Sequence, residues 1–470
     1  MMLRSKCGFI LMLVVMALNG FGQSDTSMKL SYANFLQLVK QNHPLAKQAN
    51  LIPKTASANT LLARGSFDPK LFYEFNNKFF DKKNYYELGN AGFKIPTWYG
   101  VEFKTGFERN QGINLNPENT TPAQGLFYSQ ISVPLLQGLI IDERRSTLKQ
   151  AKLFQELSAF EKVNTINELL YKAGKVYWDW QLSFTNVEVF QNAVKLSLER
   201  VEAIKATSNL GDRPAIDTVE AIIQLQDRII ASQQALMDYR TKSLLLSNYL
   251  WLENDVPIEL TDKTIPEIAA ENYENENVLL SNLNKLDSLI NNHPSIKVYD
   301  FKLQQLAIEK KFKKDKLKPN LNFNYNPLFD AKNLSTGFQN NYKWGLVVGF
   351  PLLLRKERAD LQLTKIKIEN TNYETRNKRN ELFNKVKATF NEFNTFKNQI
   401  DLYSKNVLNY KRLWLSEKRM FDSGESSLFM INSREMSYIN AQIKLNEIIN
   451  KSKKAGLDVE YSFGVLNEMY

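Results

Sequence analysis

The chain holds one cysteine and two histidines in 470 residues. A single thiol, Cys7, excludes an intrachain disulfide framework and a cysteine-based zinc site. His43 and His293 are too few for a histidine-rich metal centre, and they make a Ser-His-Asp hydrolase a poor reading. There is no P-loop: the Gly89-Asn90-Ala91-Gly92 stretch reads as a turn between strands, not a phosphate cradle. No nucleophile stands with a base, so no catalytic residue, cofactor or metal is expected. The basic excess, a net charge of +11, is spread along the chain, which gives a nucleic-acid partner little support. Beyond Gln23 no run approaches 18 uncharged apolar residues, so no segment is expected to cross a bilayer as a helix.

What is present begins with a leader. Arg4 and Lys6 precede an apolar run from Gly8 to Leu18, and Gly20 and Gly22 are placed for a cut ahead of Gln23. That is the pattern of a secretory signal peptide over residues 1–22. The run is too short to anchor the chain. Cys7 lies before it and leaves with the leader. The whole sequence is 43% apolar and 24% charged, ordinary for a folded protein with a large core.

Two kinds of pattern then alternate. Short segments switch between apolar and polar residues with period two. They include Leu71–Asn76, Val101–Glu108, Gln130–Val133, Asn320–Asn326 and Tyr342–Phe350. Such segments suit a sheet with one wet face or the staves of a membrane β-barrel. Trp98, Tyr99, Tyr342 and Trp344 are placed in strands and are candidates for an aromatic belt at a membrane interface. Trp178 and Trp180 fall inside a helical window and read as packing residues. The other pattern is helical and very long. Leu352–Ser423 lacks Gly and Pro, and Leu139–Leu210 has only Gly174. Read as single helices, about 142–207 and 355–421, each is ~100 Å long. Their apolar residues step by three and four (Phe393, Phe396, Ile400, Tyr403, Val407, Tyr410, Trp414), the seam of coiled-coil-like packing.

The chain also repeats itself. His43-Pro44 returns as His293-Pro294, with both histidines read as helix-start residues. Ser132-Val133-Pro134 returns as Gly349-Phe350-Pro351, closing each strand set. Asn209-Leu210-Gly211-Asp212-Arg213-Pro214 and Asp422-Ser423-Gly424-Glu425-Ser426-Ser427 stop the two long helices. The spacing of these landmarks puts about 33 extra residues in the first strand region. The expected organisation is a first repeat over 23–252, with strands about 67–136 and long helices 142–251. A Pro-, Asp- and Glu-rich linker follows over 253–277. The second repeat spans 278–470, with strands about 319–352 and long helices 355–455. The fold class is mainly α with a β-barrel part.

This duplicated order of helix, strands, very long helix, glycine turn and returning helix resembles the TolC-like outer-membrane efflux family. The resemblance covers nearly the whole chain after the leader. It rests on Ser31-Tyr32-Ala33, His43-Pro44, the strand-ending Pro134 and Pro351, and the turn from Gly211 through Asp217 to Ala221. It implies a homotrimer whose strands build one barrel in outer-membrane lipid and whose helices build a tunnel across the periplasm of a Gram-negative cell. It implies a passive, gated exit duct of a tripartite efflux system, opened by a periplasmic adaptor (membrane fusion) protein that is bound to an inner-membrane pump. An outer-membrane component of a type I protein secretion system fits the same features. The docking tips would be Gly211, Asp212, Arg213, Pro214 and Asp217, with Gly424, Glu425, Ser426 and Ser427. Some relatives carry acidic residues six and nine places after the second glycine. Met430 and Ser433 stand there, so an apolar constriction through Phe429 or Met430 is the expected gate. A different class, a periplasmic coiled-coil adaptor or scaffold, would show one hairpin and no amphipathic strand pairs.

Overall fold

A computed structural model describes residues 28–261, 263–268, 286–330 and 341–470. The expected leader and residues 269–277 of the expected linker lie outside the described residues. The chain opens with β1 (Met28–Leu30), α1 (Tyr32–Asn42) and α2 (Pro44–Gly65). Ser31 caps α1, its Oγ accepting from Asn34 N at 3.2 Å. His43 ends α1 and immediately precedes Pro44, the first residue of α2. The second copy is α5 (Leu286–Asn292) and α6 (Pro294–Asp315), with His293 Nδ1 accepting from Ser295 N at 3.1 Å. Both helices that follow a His-Pro pair are 22 residues long. Proline suits this first position because its missing N–H has no helical partner there.

The two long helices form as the sequence requires. They are α3 (Glu143–Asn209, 67 residues) and α7 (Arg355–Asp422, 68 residues), each about 100 Å along its axis. The returning helices are α4 (Ala215–Ser247) and α8 (Leu428–Phe463), followed by the short α9 (Leu466–Met469). The expected end of α8 near 455 needs correction: the helix runs through Gly456 to Phe463. That glycine keeps helical backbone with the Phe393 ring 3.4 Å from where a Cβ would stand, and the stop comes at Gly464, whose φ is +74°. The segment read as linker also contains β6 (Thr264–Pro266), which pairs in parallel with β1.

The described residues divide into two compact units, each made of pieces from both repeats. One contains residues up to His43, Ala173–Asn272 and Phe396–Lys454. Its core buries Phe35, Leu36, Tyr177, Trp180 and Leu246 completely. Tyr177 Oη donates to Leu30 O at 2.8 Å and Trp180 Nε1 to Ser243 Oγ at 3.0 Å. Trp178 stacks on Tyr32 at 4.4 Å between ring centroids. Trp178 and Trp180 are therefore packing residues, as their helical setting implied.

The other unit contains Pro44–Lys172, Tyr273–Thr395 and Ala455–Tyr470. It holds six strands: β2 (Lys70–Phe80), β3 (Lys83–Pro96), β4 (Glu102–Gln111), β5 (Leu126–Pro134), β7 (Asn320–Asp330) and β8 (Tyr342–Gly349). They lie in the order β2-β3-β4-β5-β7-β8, every neighbour antiparallel. Four strands come from the first half and two from the second. The extra residues of the first half are thus one added strand pair. Gly89–Gly92 lies in the middle of β3 and is not a turn. The glycines serve close approach: Gly92 pairs with Gly106, where a Cβ would sit 2.8 Å from the hydroxyl of Tyr128. Trp98 and Tyr99 likewise lie in the β3–β4 connection, where Gly100 takes a φ of +85°, and not in a strand.

Candidate functional site

The strand register sorts side chains onto two faces, because successive residues point to opposite sides. One face is mainly apolar, with Thr105 and Ser129 inside it and Glu87 and Arg109 toward the strand tips. Across the pairs run Leu71–Phe93, Phe103–Ile131–Tyr325–Trp344, Phe107–Phe127 and Val133–Phe323–Leu346. Most of these large side chains are uncovered; Leu71 is 74% exposed and Val348 69%. The opposite face carries Glu74, Asn90, Lys94, Lys104, Glu108, Gln130, Asn324 and Lys343. There Tyr128 Oη donates to Asn90 Oδ1 at 2.8 Å, and Lys104 Nζ lies 4.5 Å from the Phe72 ring centre. A water-soluble sheet hides its apolar face and wets the other; this one leaves the apolar face open, as hydrocarbon solvent requires. Tyr342 and Trp344 stand on the apolar side at one end of β8, with Tyr342 5.9 Å from Tyr325 between ring centres. Trp98 lies at the other end of its strands, stacked on Phe67 at 4.2 Å.

In the first-described unit the two long helices stop in the same way. Gly211 and Gly424 have φ of +81° and +79°, a conformation glycine adopts without steric cost. Gly211 N donates to Ser208 O and Asp212 N to Thr207 O at 3.0 and 3.1 Å. Gly424 N donates to Phe421 O and Glu425 N to Met420 O at 3.1 and 2.8 Å. These are two copies of one helix stop, with orphan carbonyls satisfied from the residues just past the end. The turns also touch. The Arg213 guanidinium lies 4.0 Å from the Phe421 ring centre and its Nη2 donates to Phe421 O at 3.3 Å. Asp217, in the first turn of α4, reaches back to Arg213 at 3.7 Å. Ser426 Oγ donates to Glu417, and Ser427 Oγ caps α8 by accepting from Met430 N at 3.3 Å.

The candidate gate residues separate. Phe429 is 69% exposed, and Ser433 and Met436 fall on its face of α8. Met430 is turned aside and half buried. Below the turns, Val201, Ile204, Ala221, Trp414, Phe421, Leu428 and Ile431 form one apolar cluster drawn from all four helices.

Sequence reasoning missed a buried polar cluster beside it. Arg200 of α3 pairs with Glu435 of α8, which is 1% exposed, and donates to Asn432 Oδ1 at 2.7 Å. Asn432 Nδ2 in turn donates to Glu220 of α4 at 3.3 Å. No sequence signal separates these residues from the many surface charges of the long helices. Along α4, Ile216, Ile223, Ile230, Met237 and Leu244 recur every seventh residue, each more than half exposed. This is a coiled-coil seam that the chain itself leaves uncovered.

Among the described residues no group of His, Cys, Asp or Glu could hold a metal ion, and no helix is long and apolar enough to cross a membrane.

No family profile and no curated protein matches this sequence. Solved structures match its fold, and the class they define is the outer-membrane channel. The Campylobacter jejuni CmeC outer-membrane channel is 15% identical, with 92% of this chain and 85% of that one aligned at a TM-score of 0.63. The Neisseria gonorrhoeae MtrE outer-membrane channel, in its open state, is 13% identical over 94% and 93% at 0.64. The Vibrio cholerae outer-membrane protein VceC is 11% identical over 92% and 96% at 0.63. The chain therefore has the TolC-like fold read from its repeats.

Proposed function

We propose that this protein is an outer-membrane channel, a passive gated exit duct of a tripartite efflux or secretion system in a Gram-negative cell, and not an enzyme. One observation carries the reading: a sheet with its apolar face uncovered and its polar face lined, in a chain whose fold matches channels over nearly its whole length. Lipid covers the apolar face, and water and cargo pass the polar one. The uncovered seam of α4 is covered by another copy, which makes the folded protomer dependent on a homotrimer.

The turns Gly211–Asp217 and Gly424–Ser427 form the docking tips for a periplasmic adaptor, which links the duct to an inner-membrane pump. They expose short polar loops on rigid helix ends, a form suited to a partner's helical hairpin. Phe429, with the adjacent, half-buried Met430 and with Ser433 one turn further on, narrows the closed end. Tyr342 and Trp344 anchor one rim of the strands in the membrane interface, and Trp98 and Tyr99 the other. Cargo identity does not follow from the tunnel, because the pump selects it.

Membrane fractionation with heat-modifiable gel migration tests the reading. A folded trimer in the outer membrane is expected, and a soluble monomer overturns it. Photo-crosslinkers at Asp212 and Glu425 are expected to capture an adaptor. Met430→Ser and Phe429→Ser are expected to raise cell entry of antibiotics too large for porins; unchanged susceptibility in both removes the gate assignment.

A further inference from the structure

The six-stranded sheet ends in two free edges, β2 and β8, and neither has a hydrogen-bonded outer neighbour among the described residues. Both edges are built like interior strands. β2 runs 11 residues without proline or bulge-forming glycine and exposes Leu71, Tyr73 and Phe75 on the apolar face. β8 exposes Trp344, Leu346 and Val348 on that face. Natural sheets blunt a free edge with charge, proline or a bulge; here the only irregularity is near the tip of β2, between Lys78 and Phe79. In hydrocarbon an unpaired edge is not tolerated at all.

We infer that β8 of one copy pairs with β2 of the next, so that three copies close a barrel of three times six strands, eighteen in all. The occupant of each edge is a second copy of this chain. This rests on the channel reading above and adds the number of strands and the identity of the seam.

Two features of the sheet carry it. Direction is one. Six antiparallel strands per copy leave β8 running opposite to β2, so the new seam is antiparallel like every other. Setting the helix-side ends level places Leu71, Tyr73 and Phe75 opposite Val348, Leu346 and Trp344, and the apolar band continues unbroken across the seam.

Stagger is the other. A line perpendicular to the strands passes through Lys70, Lys94, Lys104, Gln130, Asn326 and Lys343; the pairs Tyr128–Leu328 and Ile131–Tyr325 bracket its step from Gln130 to Asn326. Lys70 opens β2, but Lys343 stands six residues short of the end of β8 at Gly349. The sheet thus slips by about one residue per strand. With strands ~4.8 Å apart and ~3.3 Å per residue, that slip tilts them by about 35°. Closed barrels have tilts of about 35–45°. Eighteen strands at that tilt enclose a wall about 34 Å across, against about 22 Å for twelve.

Disulfide trapping tests the seam. Cys7 is the only native thiol, and Cys7→Ser removes it should the leader persist. Three double variants are made in the full chain: Leu71→Cys with Val348→Cys, Tyr73→Cys with Leu346→Cys, and Phe75→Cys with Trp344→Cys. Oxidation of outer-membrane trimers is expected to give covalent dimers and trimers on denaturing, non-reducing gels from at least one pair, and none from the single variants. Native trimers in the outer membrane without a covalent ladder from any pair overturn the seam and leave the channel reading standing. Absence of trimers from the outer membrane overturns both. An image reconstruction of the unmodified protein in lipid nanodiscs supplies an answer independent of the variants. Eighteen strands are expected; twelve strands, with β2 and β3 outside the wall, overturn the inference.

Discussion

The helix stops and the strand sets of the two repeats have been treated differently. At the stops the copies agree bond for bond: Thr207, Ser208, Gly211 and Asp212 make the contacts that Met420, Phe421, Gly424 and Glu425 make. In the sheet, the first half gives four strands and the second two. A helix stop is a local problem with few solutions, so both copies keep the same one. A sheet accepts additions in pairs, because one extra hairpin restores strand direction and leaves both faces as they were. Side chains around the stops are freer. Asp217 and Glu220 follow the first glycine by six and nine residues, and Met430 and Ser433 follow the second. The buried pair Arg200–Glu435 likewise joins the repeats without a counterpart between them.

That last asymmetry gives the largest expected effect. Arg200→Ala removes the directly paired cation from a carboxylate that is 1% exposed and leaves it to the electrostatic influence of Arg228; loss of one partner from a buried pair costs about 3–5 kcal/mol. Amide exchange around Leu428–Tyr438 in the purified trimer is expected to rise, while the double variant Arg200→Met, Glu435→Leu recovers part of the loss, the remainder reflecting the buried Arg228 that also faces Glu435. No recovery in the double variant removes the ion pair as the cause.

The two strand sets are compared by lysine on the apolar face. Phe93→Lys, in the added hairpin, and Leu346→Lys, in the duplicated part, are each expected to cost about 2–4 kcal/mol near the bilayer midplane. Asn324→Lys, on the polar face, is expected to cost little. Urea titration of folding into vesicles reads the difference. A harmless Phe93→Lys shows that the added hairpin does not meet lipid.

The longer α8 carries its own signature. Burial pushes the Glu460 carboxyl up to about 7. The folded state then holds its proton across pH 4.5–7 where the unfolded chain releases it, so this group's contribution falls as pH rises through that window. Burial, with Lys378 and Lys385 nearby, holds His293 down at about 4. That group acts in the opposite sense, its contribution growing as pH rises from 4 to 6.5. Glu460→Gln is therefore expected to stabilise the protein at pH 8 by about 3 kcal/mol and to have little effect at pH 4.5. Thermal midpoints in detergent at the two pH values check it, and an equal shift at both contradicts it.

The smallest effect tests the matched stops. Gly211→Ala and Gly424→Ala each place a Cβ on left-handed backbone, at a cost of about 1–2 kcal/mol. Open space surrounds both positions, so no clash adds to either. Equal losses in thermal midpoint are expected, and a clear inequality means that a partner touches one turn only.

Much of this was legible beforehand because its causes are local. Freedom from Gly and Pro and the glycine stops marked out the long helices within a few residues of where they lie, and the His-Pro pairs marked the starts of α2 and α6. Period-two alternation found five of the six strands of the large sheet but missed β3, where Gly89–Gly92 was read as a turn, and Trp98-Tyr99 were wrongly placed in a strand. There the outcome turned on which strand each glycine faced and where the β3–β4 connection fell. The end of α8 was placed too early: Gly456 continues the helix and Gly464 ends it, and only Gly464 has a positive φ.

By itself the sequence determined the duplicated order of elements, the length of the rods and the faces of the strands, since spacing along one chain encodes period and stops. The tertiary structure alone decided that the extra residues join the sheet as a strand pair, that β2 and β8 are its edges, and that Arg200 meets Glu435 across 235 positions of sequence. Pairings between distant segments depend on packing and register, which no local pattern carries.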